Sequence, residues 1–171
     1  MTKRKIVLDA DVIINFSRAS ILSRLTDILK DYDFIVLDKV YNEILRDTKR
    51  ELDNNVHLLK KIAIVPFPAN LDMIKEYAKL VKTFGKGESA CMAYCKFTDD
   101  VVGSSNFKDV SDYCKNNDIT YLGTVDFLYY AVKNEIMTEE EGTKSMNDMI
   151  TKGSRLPIGT NFNNYHPTSI L

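Results

Sequence analysis

The stretch KIVLDADVIINF, residues 5–16, decides the fold. Ile6, Val7 and Leu8 form a short apolar run rich in β-branched residues, the pattern of a central parallel strand covered on both faces. Asp9 stands where that strand stops, and Asp11 and a second apolar run follow at once. A carboxylate in that place lies at the C-terminal edge of the sheet, where open α/β folds put their ligands. Other polar residues that reach the same edge can share chemistry with Asp9.

The rest of the chain alternates strand and helix patterns. Apolar residues at 34–37, 62–65, 101–105 and 119–122 make four further short strands. Between them Ile21, Leu22, Leu25, Ile28 and Leu29 recur at helical spacing, ending near Lys30. A helix after Asp38 carries Val40, Tyr41, Ile44, Leu45 and Leu52 on one stripe, with Asp38 as its cap. Helices at 71–81, 88–97, 108–117 and 124–134 follow, the last capped by Thr124. Thr138 caps a final helix whose Glu139, Glu140 and Glu141 suit the positive end of the dipole. This order predicts a single-domain, three-layer α/β/α fold with a five-stranded parallel sheet over residues 1–152. Residues 153–171, rich in Asn, Pro, Ser and Thr, read as an irregular tail lying on the surface or on a partner.

Length and composition set the class. The 171 residues are enough for one domain with a sizeable core, and 44% hydrophobic with 27% charged residues is globular composition. The net charge of -1 gives no global attraction to nucleic acid, so any such binding is local or cation-mediated. Cys91, Cys95 and Cys114, an odd and small set, fit a reducing cytoplasm. Asp9 and Asp11 interrupt the apolar run that a signal peptide needs, and no stretch is long enough to span a membrane.

If the first strand is central and flanked by the second and fourth, Asp9, Glu43, Glu88 and the end of the fourth strand meet on one edge. Carboxylates crowded into one cleft repel unless a cation sits among them, and all-oxygen donors favour Mg2+ or Mn2+. Singly, each acid has a plain structural reading. Asp9 and Asp11 can cap, Glu43 can be a solvated helix charge, and Glu88 and Asp126 can be ordinary first-turn acids. The weight lies in the set.

Four blocks carry a family resemblance: VLDADVIINF, VLDKVYNEIL, GKGESACMAYC and VVGSSNFKDVSDYCKNNDITYLGTVDFLYYAVKNEI. In order and spacing they resemble the successive blocks of a PIN domain of the bacterial and archaeal kind, over about residues 5 to 152. The resemblance implies a Mg2+- or Mn2+-dependent ribonuclease with Asp9, Glu43 and Glu88 as its successive acids. The acid or acidic pair expected at the end of the fourth strand falls on Ser105 and Asn106, which are uncharged. Asn106 can offer a metal an oxygen but cannot act as a base, and Asp109, three residues on, is the candidate substitute. The implied site is therefore Asp9, Glu43, Glu88, Asn106 and Asp109. Asp9, Glu88 and Asn106 are its metal ligands; Thr124, Lys108 and Asp126 are candidate substrate contacts.

The resemblance also implies RNA as substrate and, as in many relatives, an antitoxin protein as partner. A homodimer through helix 71–81 or 22–29 is a further expectation, although both read equally well as core helices. Three rivals stand beside it. Asp9-Ala10-Asp11 has the DxD form of a haloacid-dehalogenase-type phosphatase, but Asp99 and Asp100 precede a strand where that family's late acids follow one. Gly-Lys near Ser89 lacks P-loop spacing. The non-enzyme rival is a degenerate PIN domain that binds RNA or protein without cutting, with Asn106 as its evidence.

Overall fold

A computed structural model describes residues 3–171. Strand β1 (Lys5–Leu8) runs through the middle of an all-parallel sheet. Its neighbours are β2 (Asp33–Leu37) and β4 (Val101–Gly103), and β3 (Ile62–Val65) and β5 (Tyr121–Leu122) form the edges. The five-stranded order is β3-β2-β1-β4-β5. The chain moves outward on one side of β1, then returns and moves outward on the other. The switch point therefore falls between β1 and β4, whose C-terminal ends open a crevice for ligands. Leu8 pairs with Gly103, so Asp9 and Ser104 are the first residues past the sheet on each side of that crevice.

Helices cover both faces, because parallel strands joined by crossovers bury both sides. On one face α6 (Lys86–Lys96) crosses β1, β2 and β4, beside α3 (Asp38–Tyr41), α5 (Leu71–Leu80) and α7 (Phe107–Asn116). On the other lie α1 (Ala10–Arg18), α2 (Leu25–Ile28) and α8 (Thr124–Lys133). Helices α4 (Arg46–Asp53) and α9 (Glu139–Thr151) pack against α1. Val12, Ile13 and Phe16 of α1 are fully buried, and the Phe16 ring meets Phe127 edge-on at 6.2 Å. The α/β/α expectation holds.

Several elements differ from their sequence patterns. The expected helix over 21–30 is a 3-10 turn, Leu22–Arg24, followed by the short α2, and its Leu22, Leu25 and Ile28 sit in the core rather than on a partner. The single helix expected after Asp38 breaks between α3 and α4. There Ile44 turns into the core while Leu45 takes an extended conformation and faces solvent. Helix α4 is polar except for Leu52, which is fully buried and anchors it. The fourth strand stops at Gly103, leaving Ser104 and Ser105 in a loop. Gly123, not Thr124, holds the cap position of α8, because the Asp126 carboxylate already accepts the Gly123 N–H at 2.7 Å. Thr138 caps α9 as expected, with Glu141 returning the bond.

The segment after α9 lies on the protein's own helices. Phe162 is buried against Gly142 of α9, where an added Cβ would meet its ring at 3.2 Å. Tyr165 Oη and the Thr168 N–H both donate to Asp126 Oδ1, each at 2.8 Å. Among the described residues no helix is long and apolar enough to cross a membrane.

Candidate active site in the β1–β4 crevice

Asp9 is buried at the mouth of β1. Its Oδ1 accepts the Ala10 N–H at 2.8 Å, so it caps α1, and its Oδ2 lies 3.1 Å from Ser104 Oγ. Asp11, one step into α1, reaches across the crevice. Both its oxygens accept the Ser105 N–H, at 2.9 and 3.0 Å, and Ser104 Oγ is 3.3 Å away. The capping role considered for Asp11 thus belongs to Asp9, while Asp11 fastens the loop after β4 to the end of β1.

The remaining acids enter from α6, from the break after α3 and from α7. Glu88, in the first turn of α6, is buried. Its Oε1 accepts from Asn106 Nδ2 at 2.8 Å. The same amide donates to Asp109 Oδ2 at 2.9 Å, so Asn106 bridges two carboxylates. Glu43 reaches over Gly87, whose N–H it accepts at 3.1 Å. An added Cβ at Gly87 would lie 2.5 Å from Glu43 Oε2, 3.2 Å from Val40 Cγ2 and 3.4 Å from Asp9 Oδ1. The glycine is what lets Asp9 and Glu43 approach the start of α6 from two sides.

Electrostatics follow from the crowding. Among the described residues none of these carboxylates pairs with a Lys or Arg. Burial pushes the Asp9 carboxyl well above its ordinary value, and the Asp11 and Glu88 charges raise it further, against hydrogen bonds that lower it. Burial also raises Asp11, opposed by the Ser105 N–H. Glu88 rises to about 7, through burial first and then Asp109 and Asp11, against the Asn106 bond.

A family model described as a PIN domain matches residues 5–160 of the chain. The chain belongs to the PIN-domain family. No curated protein and no solved structure matches it.

PIN domains have a nuclease-type fold in general, and the crevice of this one has the donor chemistry for a hard divalent cation. Its donors are oxygens, its buried acids raise one another's pKa values, and among the described residues no Lys or Arg is paired with them. As the side chains stand, no three acid, histidine or cysteine groups among the described residues converge on one point. The Asn106 amide stands between Glu88 and Asp109 instead, and a half-turn of that amide would present its oxygen to the same space. The residues fit a cation in kind, with Asn106 as the group that must turn.

The other expected residues fare differently. Lys108 is exposed at the start of α7, beside the crevice. Thr124 is buried, with its hydroxyl accepting from Asn15 Nδ2 at 2.9 Å and bonded to Ser105 Oγ, so it is a structural tie rather than a substrate contact. Asp126 is fully buried under the tail with both oxygens engaged, and does not reach the crevice. Asp99 and Asp100 lie before β4, where Asp100 accepts the Lys5 N–H at the opposite edge of the sheet. That edge, with family membership, sets aside the phosphatase reading. Ser104 and Asn15 join the site's hydrogen bonds without a sequence signal of their own. Both are short neutral side chains with no periodic signal; only their positions past a strand end and inside the helix after Asp9 mark them.

Proposed function

We propose that this PIN domain is a divalent-metal-dependent RNA endonuclease. The observation that carries the reading is the unpaired set of carboxylates, Asp9, Asp11, Glu43, Glu88 and Asp109, gathered at the switch point of the sheet. Asp9 and Glu88 would hold Mg2+ or Mn2+, with Asn106 through its amide oxygen and Asp11, Glu43 and Asp109 around them. Lewis acidity toward water and toward a phosphate oxygen is the chemistry such a cation supplies when bound. Asp9 is held in place by the Ala10 amide and Ser104, and Glu43 by the Gly87 amide, so each carboxylate keeps its orientation without a charged partner. Glu88 is held by the Asn106 amide beside Asp109, so its carboxylate would face the same cation as Asp9. In-line attack on a phosphodiester then leaves a 5′-phosphate and a 3′-hydroxyl. Lys108, exposed at the rim, can meet the RNA backbone.

The second reading, a PIN domain that binds without cutting, is favoured by one observation: Asn106 donates to Glu88 and Asp109 where the family carries an acid. Incubating the protein with labelled single-stranded RNA and Mn2+, beside its Asp9→Asn variant, separates the two. Cleavage by the parent chain with 5′-phosphate ends, lost in the variant, supports the nuclease. RNA binding with no cleavage in either supports the second reading. Equal cleavage by both removes Asp9 from the site. An antitoxin partner and a cytoplasmic location belong to the same proposal, and a small DNA-binding protein encoded directly upstream would support the toxin role.

A further inference from the structure

Beside the acids runs a groove of about 450 Å³ lined by groups of both charges. Asp11, Ser105 and Asn106 line it near the acids, and Arg18, Ser154 and Arg155 line it toward the far end of α1. Arg18 is the last residue of α1, and Ser154 and Arg155 are the first residues after the turn that ends α9. Helix α1 supplies Asp11 and Arg18, and the fold brings the loop after β4 and the segment after α9 against it through buried polar contacts. Ser154 Oγ donates to Asn15 Oδ1 at 2.6 Å, Asn15 Nδ2 donates to Thr124 Oγ1 at 2.9 Å, and Thr124 is bonded to Ser105. Ser105 in turn donates its N–H to Asp11. Buried polar groups this fully satisfied fix geometry. Arg18 Nη1 donates to Ser154 Oγ at 3.1 Å, and the Lys152 ammonium donates to the Arg18 carbonyl. Gly153, at φ +98, makes the left-handed turn that sends Arg155 back over the groove.

We propose that this groove binds an RNA strand beside the reacting phosphodiester, with Arg18 and Arg155 holding a flanking phosphate. The inference rests on the nuclease reading for the direction of the strand, but its residues lie outside the acid set. Neither guanidinium is paired with a carboxylate among the described residues. Arg155 is exposed, and Arg18 spends one nitrogen on Ser154, leaving donors free. Guanidinium forks suit phosphate oxygens. A polyanion lying over an acidic crevice needs positive charge beside it, and the near-neutral chain supplies it here rather than globally. The segment after residue 152 thereby becomes a wall of the cleft.

The test uses fluorescence anisotropy of a labelled uridine dodecamer with the full chain in EDTA, across a salt series. The Arg155→Ala variant, changed at an exposed position, should bind roughly 3- to 10-fold more weakly and lower the salt slope by about 1, as loss of one phosphate contact does. Arg18→Ala should do the same, with Arg18→Lys recovering part of the affinity. Lys144→Ala, on the outer face of α9, should change nothing. Undiminished binding in both arginine variants overturns the proposal, as does an equal loss in Lys144→Ala or the absence of salt-dependent binding by the parent chain. Mn2+ calorimetry on the same variants keeps the readings apart. Arginine-dependent RNA binding without an Mn2+ site preserves the groove and removes the nuclease.

Discussion

Asn106 is the residue on which the proposed chemistry turns. Its amide nitrogen lies 2.8 Å from Glu88 and 2.9 Å from Asp109, supplying the partial positive charge that a cation would supply in full. Replacing it with Asp removes a donor and adds a charge. Asn106→Asp should therefore tighten Mn2+ binding roughly 10-fold or more, since affinity of such sites follows the charge of the ligand set; calorimetry reads the change, and weaker binding would count against Asn106 as a ligand position. Glu88 makes a pH prediction. Its folded pKa, about 7, lies above the ordinary 4.5, so the folded chain holds the proton more tightly than the unfolded one. Its contribution to stability is present at low pH and is lost as pH rises from about 4.5 to about 7. Melting of the metal-free protein across that window should show a falling Tm, flattened in Glu88→Gln; Tm rising with pH in both would contradict the burial of this acid. Asp9 was legible because it ends an unmistakable strand, and Glu88 because the GKGESACMAYC block falls in its expected place in the family order. Asp11 and Ser104 were not, because an acid in a first helical turn and a serine in a loop have many ordinary reasons to be there.

At the scale of elements, the site depends on where helices stop and start. The sequence stripe through Val40, Ile44 and Leu52 suits one long helix, but Glu43 bonds the Gly87 amide from the bend between two. Periodicity records which side chains are apolar; it does not record that a carboxylate in the middle has a partner on another element. Gly87→Ala places a methyl 2.5 Å from Glu43 Oε2 and 3.2 Å from Val40. The flexible carboxylate gives way more easily than the helix, so this variant should keep its fold and melt within a few degrees of the parent while losing most cleavage. A large drop in Tm with cleavage unchanged per folded molecule would show that Gly87 serves packing and not Glu43. Leu52 is the buried apolar anchor of α4, beside bonds from Ser17 to Glu51 and from Tyr41 to Asp53, and Leu52→Ala should cost about 2–5 kcal/mol in urea unfolding; a cost below that range would mean α4 is held by its polar contacts.

At the scale of the molecule, strand order does the placing. Two strands lie on each side of β1, the crevice opens between β1 and β4, and all the acids of the site sit at that one edge. This much follows from alternating strands and helices and from the family pattern. The course of the last nineteen residues does not, because contacts such as Tyr165 and Thr168 with Asp126 link positions about forty residues apart through side chains of no distinctive pattern. Asp126→Ala should leave three donors without their acceptor and cost about 1–3 kcal/mol, with Mn2+ affinity unchanged; a lost metal site in a folded variant would connect Asp126 to the crevice after all. The most direct test of the whole assignment is a crystal soaked in Mn2+, read by anomalous scattering. A peak between Asp9 and Glu88, with the Asn106 amide turned to face it with oxygen, is the expected result. No peak in the crevice at millimolar Mn2+, with Asn106 still bridging Glu88 and Asp109, would contradict a metal-dependent nuclease.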